Sequence, residues 1–194
     1  MCNRALSVCF CAVLLLGVIC KGDEGVGVLL GPERVTLHPT KRSGPGSGMP
    51  LYLSIVNSTG HTRRFSNFYE SWSPILMSED GGTIAMPLGG RDVTFPPTPG
   101  DYPWIRPGRR ATAKRGCILE IVGDKFVFSI GEETGSEFSA AVTPGHYKLC
   151  VSYRARVGEG TLFWMAIERF NAKPQEIWPG WQMSNWIDVF FDAK

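Results

Sequence analysis

The stretch Pro144-Gly145-His146-Tyr147-Lys148-Leu149-Cys150-Val151-Ser152-Tyr153 constrains this chain more than any other, because a Pro-Gly turn runs straight into strict period-two alternation. Successive strand residues face opposite sides, so Tyr147, Leu149, Val151 and Tyr153 share a face that no helix would gather. Further on, Ser184-Asn185 leads into Trp186-Ile187-Asp188-Val189-Phe190-Phe191, where Ile187, Val189 and Phe191 again line one face. A turn feeding an alternating strand, answered by a last alternating strand, is how a two-sheet β-sandwich closes.

The rest of the chain repeats the pattern at short spacing. Residues 51–57 alternate with Leu51, Leu53 and Ile55 on one side and end in the turn Asn57-Ser58-Thr59-Gly60. Residues 33–38, 73–77 and 83–86 read as further strands. Residues 111–122 and 125–130 read as a hairpin about Gly123-Asp124, a two-residue polar break of the kind that joins antiparallel strands. Residues 161–169 carry bulk on both faces and are expected to form a central or covered strand. Residues 21–31 read as a glycine-bearing leader and residues 41–48 as a flexible polar loop. From Pro87 to Pro107 a long surface loop is expected, since Pro96, Pro97, Pro99 and Pro103 also remove ladder donors. The 23 glycines and 14 prolines of the 194 residues therefore punctuate short strands. The expected fold is all-β, an immunoglobulin-like antiparallel sandwich of about seven to nine strands, in a single domain over residues 23–194.

The first residues are a separate object. Arg4 precedes an uncharged apolar run from Val8 to Cys20 that is too short for a comfortable membrane span, the pattern of a secretory signal peptide over residues 1–22. Gly17-Val18-Ile19-Cys20 has the outline of a lipoprotein signal with Ile19 in place of a small residue, which makes Cys20 a candidate lipidation site beside ordinary cleavage. The expected location is secreted, periplasmic or cell-envelope.

Removing the segment up to Cys20 takes away Arg4 alone among the charged residues, so the formal net charge falls from +2 to +1. Basic pairs at Arg63-Arg64, Arg109-Arg110 and Lys114-Arg115 alternate with acidic stretches elsewhere, and nucleic acid is not an expected partner. Of six cysteines, only Cys117 and Cys150 lie in the body of the chain. In an exported domain they are the candidate disulfide, with two reduced thiols as the alternative. Alternation puts Cys150 opposite the Tyr147 and Leu149 face and Cys117 with Leu119, so a bridge requires a bulge at Gly116 or direct cross-strand pairing.

Little in the chain has the form of a catalytic centre. His38, His61 and His146 each sit alone beside a turn, and no metal, cofactor or catalytic residue is assigned. His146 and Cys150 share a face but lack a third, orienting group. The acidic turns Ser78-Glu79-Asp80-Gly81-Gly82 and Gly131-Glu132-Glu133 lack the alternate-oxygen spacing of a dedicated calcium loop. Asn57-Ser58-Thr59 is a formal N-glycosylation acceptor.

The aromatics are more informative, because several fall in loop-like segments that a core does not easily claim. Phe65, Phe68, Tyr69 and Trp72 form one group, Tyr102 and Trp104 a second, and Trp178, Trp181 and Trp186 a third. Exposed rings on a sandwich anchor protein interfaces or stack on sugar faces. Tyr102, Trp104, Trp178, Trp181 and Trp186 are the candidate binding residues. In the last strand, Trp186, Asp188 and Phe190 point away from the buried face, on a strand expected near a sheet edge.

With these marks the chain is similar, over roughly residues 33–192, to exported prokaryotic immunoglobulin-like sandwiches. The features that carry the likeness are the 51–57 strand ending in Asn-Ser-Thr, the Pro107-Gly108 turn into 111–122, the Pro144-Gly145-x-Tyr147 strand and Trp181-Gln182-Met183-Ser184-Asn185 before the terminal strand. The layout also resembles that of the intracellular proteinase-inhibitor domain. The expected function, resting on the aromatic groups, is that of a non-enzymatic binding or structural protein acting through protein–protein interaction. A glycan-binding module using the same rings is the alternative, and so is a proteinase inhibitor presenting residues 96–107. No functional residue is carried over from either family.

Overall fold

The computed structural model describes residues 25–40, 48–66, 71–90, 102–131, 136–155 and 176–193. Among them fifteen strands form and no α-helix does. In chain order they are β1 (Val26–Gly31), β2 (Arg34–Leu37), β3 (Pro39–Thr40), β4 (Met49–Asn57), β5 (Arg63–Arg64), β6 (Trp72–Ser78), β7 (Thr83–Ala85) and β8 (Leu88–Gly90). These are followed by β9 (Trp104–Ile105), β10 (Arg109–Val122), β11 (Lys125–Gly131), β12 (Ser136–Val142), β13 (Gly145–Arg154), β14 (Trp181–Met183) and β15 (Ile187–Phe191). Nine of the fifteen have four or more residues, and these carry the sandwich. The signal segment, Cys20, Phe68, Tyr69 and the strand expected over residues 161–169 lie outside the described residues.

Two sheets pack face to face. The first runs β1-β4-β10-β11-β12-β8, with β3 beside the far part of β10. The second runs β2-β15-β13-β6-β7, with β14 continuing the β15 side of β13. The edges at each flank are consecutive in sequence. On one flank β1 leaves the first sheet and becomes β2 of the second through the cis Gly31-Pro32 peptide. On the other, β7 leaves the second sheet and becomes β8 of the first through Met86-Pro87. Each flank is thus bounded by a strand that changes sheet, which shortens the free edges that invite unwanted pairing.

The alternating residues read from the sequence fill the core. Leu51, Leu53, Ile55, Cys117, Leu119 and Phe128 of the first sheet are buried with Leu76, Leu149, Val151, Ile187, Val189 and Phe191 of the second. The Phe191 ring lies 5.0 Å from Phe128 and 4.9 Å from Tyr147, so one side chain joins both sheets. Burying each such large apolar side chain stabilises the fold by about 1.5–3 kcal/mol. The hairpin about Gly123-Asp124 forms in the expected register, with Val122 opposite Lys125.

Two expectations are corrected. The leader ends earlier than read, because Val26, Val28 and Leu30 are buried and β1 pairs with β4 along its whole length. The Pro87–Pro107 segment is not all loop, since β8 and β9 lie within it. The last strand lies near a sheet edge as expected, with β15 between β13 and the edge strand β2.

Candidate functional site

One end of the sandwich is built from aromatic rings. Trp72, Tyr153, Trp178 and Phe65 follow one another, with centroid separations of 4.9 Å, 5.7 Å and 5.9 Å. The Tyr153 hydroxyl accepts the Ser66 amide at 3.1 Å, and burial pushes its phenol up from the ordinary value. The Trp178 amide donates to the Arg64 carbonyl at 2.8 Å. A Cβ on Gly180 would stand 2.0 Å from the Trp178 ring, so only glycine lets the backbone pass there. Trp178 is 3% exposed and Tyr102 4%, and both belong to the core. This corrects two of the five candidate binding residues: the small β5–β9 ladder folds over the end of the sandwich and buries them.

The same ladder holds Trp104 outside. β5 and β9 pair Arg64 with Trp104 and Arg63 with Ile105. The buried Arg64 side chain donates through Nε to the Tyr102 carbonyl at 3.0 Å, and its guanidinium lies 5.6 Å from the Trp104 ring centroid. The indole is thereby braced from below while 53% exposed. Arg64 belongs to the first of the basic pairs in the sequence, and its position before the core residue Phe65 is the signal of its burial.

Asn57 fixes the neighbouring turns. It is fully buried, and its Nδ2 donates to the Ile105 carbonyl at 2.7 Å and the His61 carbonyl at 2.9 Å. Its Oδ1 accepts from the Thr59 amide and hydroxyl. A glycan on that nitrogen is incompatible with this arrangement, so the formal acceptor site is a structural asparagine. Arg106-Pro107-Gly108-Arg109 closes with the Arg109 amide on the Arg106 carbonyl at 3.0 Å. Gly108 has φ +70°, the requirement at the third position of a type II turn.

The third aromatic group straddles the break between β14 and β15. Trp181 lies opposite Arg154 of β13, 44% exposed, and its indole N–H donates to Ser152 Oγ at 2.7 Å. Ser184 replaces a ladder partner, its Oγ accepting the Val151 amide at 2.9 Å. Asn185 reaches across to the other sheet, where its Oδ1 accepts the Leu30 amide at 2.7 Å and its Nδ2 donates to the Leu30 carbonyl at 2.9 Å. Trp186 is left 42% exposed on that flank. Trp104 and Trp181 therefore occupy the aromatic end, and Trp186 sits along the side.

Phe190, on the outer face of the second sheet, is not a free ring. It stacks on His146 at 4.5 Å with Arg34 4.8 Å from its centroid. His146 places Nε2 2.8 Å from Asp188 and Nδ1 3.0 Å from Glu79. The bond with Asp188, opposed in part by desolvation and joined by Glu79, holds the imidazole above its ordinary value. The same bond holds Asp188 below its own. Both ring nitrogens are thus committed, and His146 does not activate Cys150.

The disulfide is also corrected, because Cys117 and Cys150 are free. They lie on β10 and β13, strands of different sheets, and Cys150 is turned to the face opposite Leu149 and Val151. Burial pushes both thiols up to about 12, which keeps them neutral and poor nucleophiles. In the turn after β6, Asp80 accepts from the Ser78 hydroxyl and from the Gly82 amide at 3.0 Å, which holds its carboxyl below the ordinary range. Its oxygen serves the turn itself. Among the described residues no group of three or more His, Cys, Asp or Glu gathers around a cation-sized space.

No family model matches the chain, and no curated protein matches it. Among solved structures it is similar to the ASH/PapD-like domain of human CEP192 (PapD-like domain 7), at 9% identity over 88% of this chain and 87% of that one, with a TM-score of 0.26.

Proposed function

We propose that this chain is a non-enzymatic binding module that engages another protein through the aromatic end of its sandwich, with Trp104 and Trp181 as anchors and Trp186 as a flanking contact. One observation carries the reading. The fold has an aromatic core at this end that takes in Phe65, Trp72, Tyr153 and Trp178, yet it leaves three indoles 53%, 44% and 42% exposed. Trp and Arg dominate the energetic centres of protein interfaces, and Trp104 braced on Arg64 is such a pair already immobilised. Among the described residues none of the three exposed indoles contacts another ring, which favours separate anchors over a joined platform for a sugar. The apolar leader supports an exported setting, at the cell envelope or outside the cell, with Cys20 as a candidate lipid attachment point.

The test compares affinity retention by the full chain with that by Trp104→Ala, Trp181→Ala and an Asp124→Asn control at the opposite hairpin tip. A protein held by wild type and control but lost from both tryptophan variants, with thermal midpoints unchanged, is the expected result. A signal on a glycan array that the same substitutions abolish would replace this reading with sugar binding.

A further inference from the structure

The aromatic end carries a second, electrostatic feature. Residues 57–66 and 102–113 contain Arg63, Arg64, Arg106, Arg109 and Arg110 and neither Asp nor Glu. The fold brings these two segments together: Arg63 pairs with Ile105, Arg109 lies opposite Asn57, and the Gly108 amide donates to the Asn57 carbonyl at 2.7 Å. Arg106 and Arg109 are exposed, as is Trp104, while Arg110, the next residue of β10, is exposed on the opposite face of the sheet. None of the five arginines is ion-paired to a carboxylate among the described residues. Glu176, which precedes the Ile177 that bridges to Arg64, has a partner of its own. Arg63 Nε is buried without a hydrogen-bond acceptor among the described residues.

Five like charges on adjoining turns repel one another and are tolerated where an anion offsets them. Because the Asn57 bonds and the type II turn hold the backbone of both segments, little ordering is lost when an anion arrives. We infer that this end docks an acidic segment of a partner protein, its carboxylates on Arg63, Arg106 and Arg109 and an apolar neighbour against Trp104. This rests on the protein-binding reading above and gives that partner a chemistry. Two observations favour a protein segment over a nucleic acid or a membrane. The formal net charge of the whole chain is only +2, too weak a field for a polyanion or an anionic bilayer. The basic residues of the two segments are also all arginine, and the guanidinium fork matches a carboxylate in two-point geometry.

The test titrates the full-length protein into a fluorescein-labelled peptide of alternating Glu and Leu, and into its Gln counterpart, following fluorescence anisotropy. Binding of the Glu peptide, at least about tenfold weaker for the Gln peptide and weaker again when salt shortens the Debye length, is expected. The double variant Arg106→Gln, Arg109→Gln should lose at least about tenfold while keeping its thermal midpoint, and Arg63→Gln alone should lose less. Equal binding by the double variant would overturn the proposal. So would preference for oligo-dT or phosphatidylserine vesicles over the peptide, or no binding up to about 1 mM. If the double variant still retains the proteins that Trp104→Ala and Trp181→Ala lose, the acidic-segment proposal fails and the protein-binding reading stands. If the tryptophan variants retain them too, that reading is what fails.

Discussion

Asn57 and His146 show how much a single polar side chain can decide. Asn57 satisfies two carbonyls from different loops and two donors of Thr59 while fully buried. Asn57→Ala would take the side-chain donor from the Ile105 carbonyl, while the His61 carbonyl keeps the Thr59 hydroxyl at 2.9 Å, and an unmade buried bond costs about 1–3 kcal/mol. Chemical denaturation should therefore show a loss of about 1–3 kcal/mol. His146 behaves differently because it is near the surface. Its pKa is raised in the fold, so its contribution is fully present below the ordinary value of 6.5 and fades as pH rises through the higher folded value. Asp188 is shifted down, so its share is present above 3.8 and fades as pH falls through the lower folded value. A proton NMR titration should place the His146 midpoint above 6.5, and Asp188→Asn should bring it down.

At the scale of elements, the break between β14 and β15 ties the two sheets together. Ser184 keeps the Val151 amide satisfied while the strand bulges, and the bulge lets Asn185 clamp both backbone groups of Leu30. β1 is an edge strand whose outer side would otherwise offer a donor and an acceptor to any passing strand. Asn185→Ala should therefore loosen β1 before the rest of the first sheet. Hydrogen exchange is expected to speed up at Leu30 and its β1 neighbours, while β10 and β11 keep their protection. Unchanged exchange along Val26–Gly31 would mean that the ladder with β4 alone secures the strand.

For the whole molecule, the sandwich was legible wherever apolar alternation was unbroken. The 145–153 and 51–57 runs and the Gly123-Asp124 hairpin form as their side-chain patterns require. β1 was missed because its outward face holds Gly27, Leu29 and Gly31, which gives no polar alternation beside Val26, Val28 and Leu30. The division of the aromatics into core and surface was illegible for a different reason. Trp178 is buried through contacts with Phe65 and Tyr153, and Arg64, far away in sequence, decides both the Tyr102 backbone and the brace under Trp104. Such long-range partners have no local pattern. Hydroxyl-radical footprinting of the full chain, alone and with the protein it retains, tests the binding reading most directly. Trp104 and Trp181 should become protected on binding while Trp178 is unreactive in both states. Continued reactivity of both exposed indoles, with protection appearing instead at Leu29 and Tyr52 on the first sheet, would contradict it.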